Sequence, residues 1–306
     1  MTEVVSWMDD RLAAAGIART GPVAEHRVRA WGTVLTAPTD RGPVWFKAPG
    51  PRTVFEVRLY EVLASVVPDR VLTPIATDTE RGWLLLPDGG PTLDGDPTVL
   101  AEVLPRYAAL QRELASHVDS LLAAEVADMR PAAMPARFDE AVEVARSSAE
   151  GPDDHAAIDA VVAARPEFVS WCDRLAASPV PSSLDHNDLH PGNVFAAGTR
   201  FYDWGDAVVA HPFASMLVTL GILRVVHDLD DATLHRLRDA YLEPFTDLAP
   251  RAELVAEVEL ACRVAKPARA LVWERALAAG DGEYRRAPLE TLLAVGVPDS
   301  LALRAA

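Results

Sequence analysis

The run His186-Asn187-Asp188-Leu189-His190-Pro191-Gly192-Asn193 constrains this chain more than any other stretch. It is dense in Asn, Asp, Pro and Gly, which favour turns, so it reads as a loop. Pro179-Val180-Pro181-Ser182-Ser183 before it is non-helical. After it comes a short hairpin, Val194-Phe195-Ala196 and Arg200-Phe201-Tyr202, folded around Ala197-Gly198. The hairpin leads into Tyr202-Asp203-Trp204-Gly205-Asp206. Asp188, His190 and Asn193 then share one loop, and Asp203 sits where the second strand ends. A hairpin of that length can bring Asn193 and Asp203 to a single cation.

This spacing suits one chemistry. Phosphoryl transfer from ATP uses a carboxylate that orients and accepts the proton of the attacking hydroxyl. It also needs an amide and a second carboxylate that hold magnesium on the phosphates. The written pattern is H-x-D-L-x-x-x-N followed by D-x-G. His186, Asp188, Leu189 and Asn193 meet the first part, and Asp203-Trp204-Gly205 meets the second. Magnesium takes oxygen ligands and keeps several waters, so an Asn oxygen, a carboxylate and phosphates suffice. An Asx-rich turn with a capping Asp would not call for four fixed identities and a D-x-G together.

Lysine is scarce. Only Lys47 and Lys266 occur, against 27 arginines. Lys47 closes an apolar run, Val44-Trp45-Phe46-Lys47, which reads as the end of a strand. A lysine there suits the α- and β-phosphates, with a Glu on the next helix to hold it. Glu56 and Glu61 are the candidates, and Glu56, nearer the helix start, is the favoured one. A G-x-G-x-x-G phosphate loop is absent. The first strand pair offers only Ala30-Trp31-Gly32-Thr33, which reads as a plain turn or bulge.

Around these residues the pattern divides the chain. A short amphipathic helix is expected over 3–16 and strands over 24–36 and 43–48, with a turn around Pro38–Pro43. A helix is expected over 53–66, and strands over 71–77 and 83–87. Asp88-Gly89-Gly90-Pro91-Thr92-Leu93-Asp94-Gly95-Asp96-Pro97 is the best boundary. Beyond it the periodicity is helical. A long helix over 99–122 is marked for a kink at Pro105, and another helix surrounds 138–145. Two more over 155–177 part at Pro166, and further helices cover 213–227, 231–245 and 251–279.

The chain has 306 residues, half of them hydrophobic, enough for one large domain or two lobes. Its formal charge is −16. Residues 1–93 hold 11 acids and 10 bases, residues 94–180 hold 16 and 7, and residues 181–306 hold 18 and 12. Acidity concentrated after residue 93 disfavours nucleic acid and anionic lipid and suits a cationic small molecule. It also serves plain solubility. No run has the length of a membrane span, and the acidic N-terminus lacks signal-peptide regions. Cys172 and Cys262, far apart, read as reduced thiols of a cytoplasmic protein.

The combination resembles the aminoglycoside phosphotransferase and choline kinase-like family, which shares the protein-kinase fold. It rests on Val44–Lys47, Phe55-Glu56, Gly82-Trp83-Leu84-Leu85-Leu86-Pro87-Asp88-Gly89-Gly90, His186–Asn193 and Tyr202–Ala207, with His211-Pro212-Phe213 also similar. The resemblance implies a two-lobed α+β fold. Residues 1–93 would form a nucleotide-binding lobe, with a small antiparallel sheet, one helix and a hinge at about 86–93. Residues 94–306 would form a helical lobe carrying the catalytic loop and the acceptor site. It implies Asp188 as catalytic base, Asn193 and Asp203 as magnesium ligands, Lys47 on the phosphates and Glu56 holding Lys47. Leu86 and Asp88 belong to the hinge whose backbone meets the adenine of ATP, with GTP as an alternative donor. His186 would fix the loop. Asn187 stands where the family often has Gly, and Asn tolerates the left-handed backbone such a place demands.

Two other readings compete. A metal-dependent hydrolase would use His186, Asp188 and His190 as zinc ligands, with Asp203, Asp206 or His211 completing the set. It leaves Lys47 and Asn193 unexplained. A non-catalytic nucleotide-binding module would carry the same fold without turnover. Asp206 is also read as a helix cap, and Arg269, Trp273 and Glu274 as candidates for a cleft wall, with core or surface roles favoured by position.

Overall fold

Strand alternation sets up the N-terminal part of the computed structural model, which describes residues 2–29, 31–277 and 284–296. An antiparallel five-stranded sheet has the order β1-β2-β3-β5-β4. Its strands are β1 (Ala24–Arg29), β2 (Gly32–Thr39), β3 (Gly42–Pro49), β4 (Ala76–Asp78) and β5 (Trp83–Pro87). In β3, Phe46 pairs with Leu35 and Leu85 and faces α1 (Thr2–Ala14), whose Met8 and Leu12 close a small core. Because side chains alternate, Trp45 and Lys47 face the opposite way. That side carries α2 (Phe55–Val66), which buries Phe55, Val57, Leu59, Tyr60 and Leu63 in the main core.

The rest is mainly helical. α3 (Pro97–Leu114) is followed by α4 (Val118–Ala123), α5 (Met134–Ser147), α6 (Pro152–Ala163) and α7 (Arg165–Ala176). Later come α8 (Met216–Val225), α9 (Asp231–Leu242), α10 (Arg251–Leu277) and α11 (Ala287–Leu293). Among the described residues no helix is long and apolar enough to cross a membrane. Both cysteines are buried and free.

Several expected boundaries move. The strand expected over 24–36 is two strands, and Ala30 between them lies outside the described residues. Pro38 and Pro43 face each other at the end of the β2–β3 ladder, beyond the reach of β1, where a missing N–H is tolerated. Only residues 76 and 77 of the strand expected over 71–77 join the sheet, in a β4 that runs on to Asp78. Val71 instead bridges to Phe201, and Val71 and Leu72 are buried in the main core. The long helix runs through Pro105 and breaks at Ala115–His117. Residues 278–279, at the end of the last expected helix, lie outside the described residues.

Strands too short to show in the sequence frame the loop after residue 185. β6 (Ala127–Asp128), β7 (Ser183–Asp185) and β10 (Val208–Ala210) form a sheet in the order β6-β10-β7. Between β7 and β10 lies the hairpin of β8 (Val194–Phe195) and β9 (Arg200–Phe201). Beneath them is a buried polar network. Gln111 Nε2 donates to the carbonyls of Leu184 (2.8 Å) and Pro212 (3.1 Å), and Gln111 Oε1 accepts from the Tyr241 hydroxyl at 2.6 Å. The Tyr107 hydroxyl accepts from the backbone N–H of His186 at 3.0 Å and shares a hydrogen bond of 2.8 Å with Ser215. Ser215 donates onward to Asp185 at 2.6 Å. Removing one member strands its buried partners, so Gln111→Leu is expected to cost about 2–4 kcal/mol of unfolding free energy. Urea denaturation measures it, and an unshifted midpoint would show that the network contributes no stability.

Candidate active site

The cleft between the five-stranded sheet and the helical part holds a cavity of about 790 Å³. Lys47, Glu56, Leu86, Asp88, Asp188, Asn193 and Asp203, all singled out from the sequence, line it. Glu61 does not, and its carboxylate accepts from the Thr77 hydroxyl on the surface.

Lys47 joins three elements. Its Nζ donates to Glu56 Oε1 at 2.7 Å and to Asp203 Oδ1 at 2.6 Å. Glu56 is fully buried on α2, and its Oε1 also accepts the backbone N–H of Trp204 at 3.1 Å. Burial opposes the charge on Lys47, but Asp203 and Glu56 outweigh it and hold the ammonium above its ordinary pKa. Burial raises Glu56 as well, against the pull of Lys47. Asp203 is also pushed up by burial, yet Lys47 and then Arg27 bring it down to about 2. The triad is therefore ionised at neutral pH on the Lys47 and Asp203 sides.

The loop after β7 presents Asp188. Its backbone turns left-handed at Asn187 (φ 59°), as the chain does again after β9 at Asp203 (φ 62°), both residue types that tolerate it. Asn193 Nδ2 donates to the Asp188 carbonyl at 2.9 Å and lies 3.3 Å from Asp188 Oδ2. Both bonds use the amide nitrogen, and the amide oxygen takes part in neither. Arg269 lies on the other side. Its Nη1 donates to the Asn187 carbonyl (2.8 Å) and Asp206 Oδ2 (2.9 Å), and its Nη2 is 3.3 Å from Asp188 Oδ1. Burial raises the Asp188 carboxyl above its ordinary value, Arg269 opposes the rise, and repulsion from Asp206 and Asp203 adds to it.

The sheet side of the cleft ends at Leu86, Pro87 and Asp88. Leu86 pairs across strands with Trp45, and Asp88 Oδ1 accepts Trp45 Nε1 at 2.8 Å. The next residues dock on the hairpin: Leu93 N donates to Val194 O (3.0 Å) and Ala196 N to Pro91 O (2.9 Å). A side chain at Gly89 would put its Cβ 2.3 Å from the Phe195 ring, so any larger residue there must displace that ring. Phe195 stacks on Tyr202 with centroids 4.2 Å apart.

The zinc reading loses its ligands. His186 Nε2 sits 2.9 Å from the Tyr202 carbonyl, and its ring packs 4.6 Å from Trp204. His190 Nδ1 accepts from Gly192 N at 3.1 Å. His211 is buried, caps the turn at Phe213 and lies outside the cleft lining. Among the described residues, no three His, Cys, Asp or Glu side chains gather around one metal position. One carboxylate and one free amide oxygen, from Asp203 and Asn193, match the sparse oxygen set that magnesium accepts beside phosphates.

Arg269 is the residue whose weight the sequence reading missed. Asp206 pairs with it and caps no helix. On α10, Arg269, Val272, Trp273 and Ala276 have i, i+3, i+4, i+7 spacing and all line the cleft. An Arg and a Trp on one face of an otherwise core helix were the available signal. The Arg269 guanidinium lies over Trp273 at 4.9 Å, and Trp273 stacks on Tyr284. Glu274 instead pairs with Arg52. Arg27 and His26, also in the lining, carried no sequence signal.

The fold and this constellation define a kinase-like phosphotransferase acting on hydroxyl groups. The profile of the phosphotransferase enzyme family matches residues 44–254, and the chain belongs to that family. Comparison with curated protein sequences gives no match. Among solved structures it is similar to the macrolide 2'-phosphotransferase MphH from Brachybacterium faecium. That likeness has 18% identity and a TM-score of 0.58, and covers 93% of this chain and 97% of that one. The choline kinase of Cryptosporidium parvum Iowa II gives 14%, 0.63, 96% and 95% in the same order. A complex of APH(2")-IIia with GDP and kanamycin gives 15%, 0.62, 96% and 98%.

Burial lowers His211 to about 3. Folding therefore favours its neutral form, and the unfolded chain binds the extra proton between that value and about 6.5. Its stabilising effect is complete above the unfolded pKa and is lost as pH falls toward the folded one. His211→Asn keeps a turn-capping acceptor and removes the titration. From pH 7 to pH 5 the wild type is expected to lose about 2 kcal/mol more than this variant. Equal losses in urea titrations at the two pH values would refute it.

Proposed function

We propose that this protein transfers the γ-phosphate of ATP, or of GTP, to a hydroxyl of a small acceptor, with magnesium as cofactor. The observation that carries this is the Asp188 carboxylate, held between Arg269 and Asn193 across one cleft from the Lys47–Glu56–Asp203 triad. Asp188 orients the acceptor hydroxyl and takes its proton late, because the transition state of this transfer is loose. Lys47, fixed by Glu56, holds phosphate oxygens. Bound through Asp203 and Asn193, magnesium would neutralise charge developing on the phosphates. Leu86 to Asp88 offer backbone groups to the purine beside Trp45.

On this reading residues 1–93 serve the nucleotide and residues 94–306 serve the acceptor. The two reduced cysteines suit a cytoplasmic setting. The acidity after residue 93 favours an aminated acceptor: an aminoglycoside, an amino sugar or an amino alcohol. The structural likenesses include a kanamycin complex, a choline kinase and a macrolide phosphotransferase, so the acceptor panel spans these classes.

The test is magnesium-dependent ADP or GDP release over that panel. Release stimulated by one acceptor class is expected, and Asp188→Ala should lower turnover about 10²–10⁴-fold while nucleotide still binds. Unchanged turnover in Asp188→Ala would remove the assigned base. Nucleotide binding with no turnover on any acceptor would favour the non-catalytic module. In the same assay Asp203→Ala should abolish the magnesium-dependent rate, and full activity would remove its metal role.

A further inference from the structure

The cleft has cationic groups on two strands of the sheet, and the second has no counterpart in the motifs. β1 and β2 pair regularly at Ala24↔Thr36 and Glu25↔Leu35, and then the register shifts so that Arg27 opposes Val34. His26 is the extra residue of a bulge. In an unbulged strand Arg27 would oppose Thr33 and point to the α1 side of the sheet. The bulge instead puts Arg27, Val34 and Lys47 in one cross-strand row on the cleft side, because Val34 also opposes Lys47. His26 lines the cleft too, with its ring edge-on to Trp45 at 4.9 Å.

Both cations of this row converge on Asp203. Lys47 hydrogen-bonds Oδ1 at 2.6 Å, whereas Arg27 Nη2 stands 3.9 Å from Oδ2, beyond hydrogen-bond distance. Among the described residues no hydrogen bond engages the Arg27 guanidinium, so its planar set of donors is uncommitted. The glycine loop that would supply backbone N–H groups is missing. Gly32 is needed for strand packing, since a Cβ there would lie 3.0 Å from the Ala48 carbonyl. Trp31, next to it, is tied to the residue after β3 by Gly50 N donating to Trp31 O at 2.8 Å.

We propose that Arg27 is a phosphate-binding residue that grips the β- or γ-phosphate of a nucleoside triphosphate from the sheet side, in place of a glycine-rich loop. The inference rests on the nucleotide-dependent reading above. It makes the bulge at His26 the device that selects triphosphates over nucleosides.

Calorimetric titration tests it with ATP and adenosine, and with GTP and guanosine, each with magnesium and in EDTA. The proteins are wild type, Arg27→Ala, Arg27→Lys and Arg41→Ala. Arg41 lies in the distant β2–β3 turn and donates to the Gly16 carbonyl. Arg27→Ala is expected to weaken triphosphate binding about 10-fold or more in both conditions and to leave the nucleoside unchanged. Arg27→Lys should fall between, and Arg41→Ala should match wild type. A loss seen only with magnesium would mean that Arg27 acts through Asp203, which overturns the proposal. So would equal loss of triphosphate and nucleoside, or an unchanged preference. A wild type that binds no triphosphate would instead overturn the kinase reading itself.

Discussion

The Lys47 ammonium is the contact on which the rest of the site depends. It ties β3 to α2 and to the segment after β9, because it holds Glu56 and Asp203 at once. A buried carboxylate without a cation costs several kcal/mol, so Glu56 has to be paired if α2 is to pack as it does. Glu56 then reaches Trp204 N and fixes the D-x-G turn from above. In a chain with one other lysine and 27 arginines, a compact point charge on a flexible stem is what fits between two carboxylates.

A second polar layer fixes the loop from below. Gln111, Tyr107, Ser215 and Asp185 satisfy backbone groups of Leu184, His186 and Pro212. The loop thus hangs from buried hydrogen bonds at both ends, and its left-handed position at Asn187 is held in place by packing around it. Arg269 completes the clamp from α10. The same guanidinium that touches Asp188 also neutralises Asp206, which keeps two carboxylates compatible within one cleft.

The family, the two-part α+β fold and the residues gathered in the cleft were legible in the sequence because each rests on a local pattern. Val44–Lys47 alternates like a strand, 53–66 repeats like a helix, and His186–Asn193 is too rich in turn formers to be either. What was hidden depends on distance in space. β6, β7 and β10 are two or three residues long, too short for any period to show. Arg269 lies far along the chain from the loop it touches, inside a helix that reads as core. The bulge at His26 is a register event, set by pairing with β2 and invisible in β1 alone. Pro38 and Pro43 misled in the opposite sense, since at the end of a ladder a missing N–H does not break a strand.

The seam between residues 91–93 and the β8–β9 hairpin limits how the cleft can move. Two backbone hydrogen bonds weld that segment to the helical part, so it cannot act as slack between the two halves. Any swing of the sheet must be taken up in the torsions of Asp88 to Gly90, a fulcrum a few residues long beside Trp45. A pivot placed there moves the far edge of the sheet, where β1 lies, through the longest arc. It moves the β5 end least, so such a swing would open the cleft beside Arg27 and Lys47 more than beside Leu86 and Asp88.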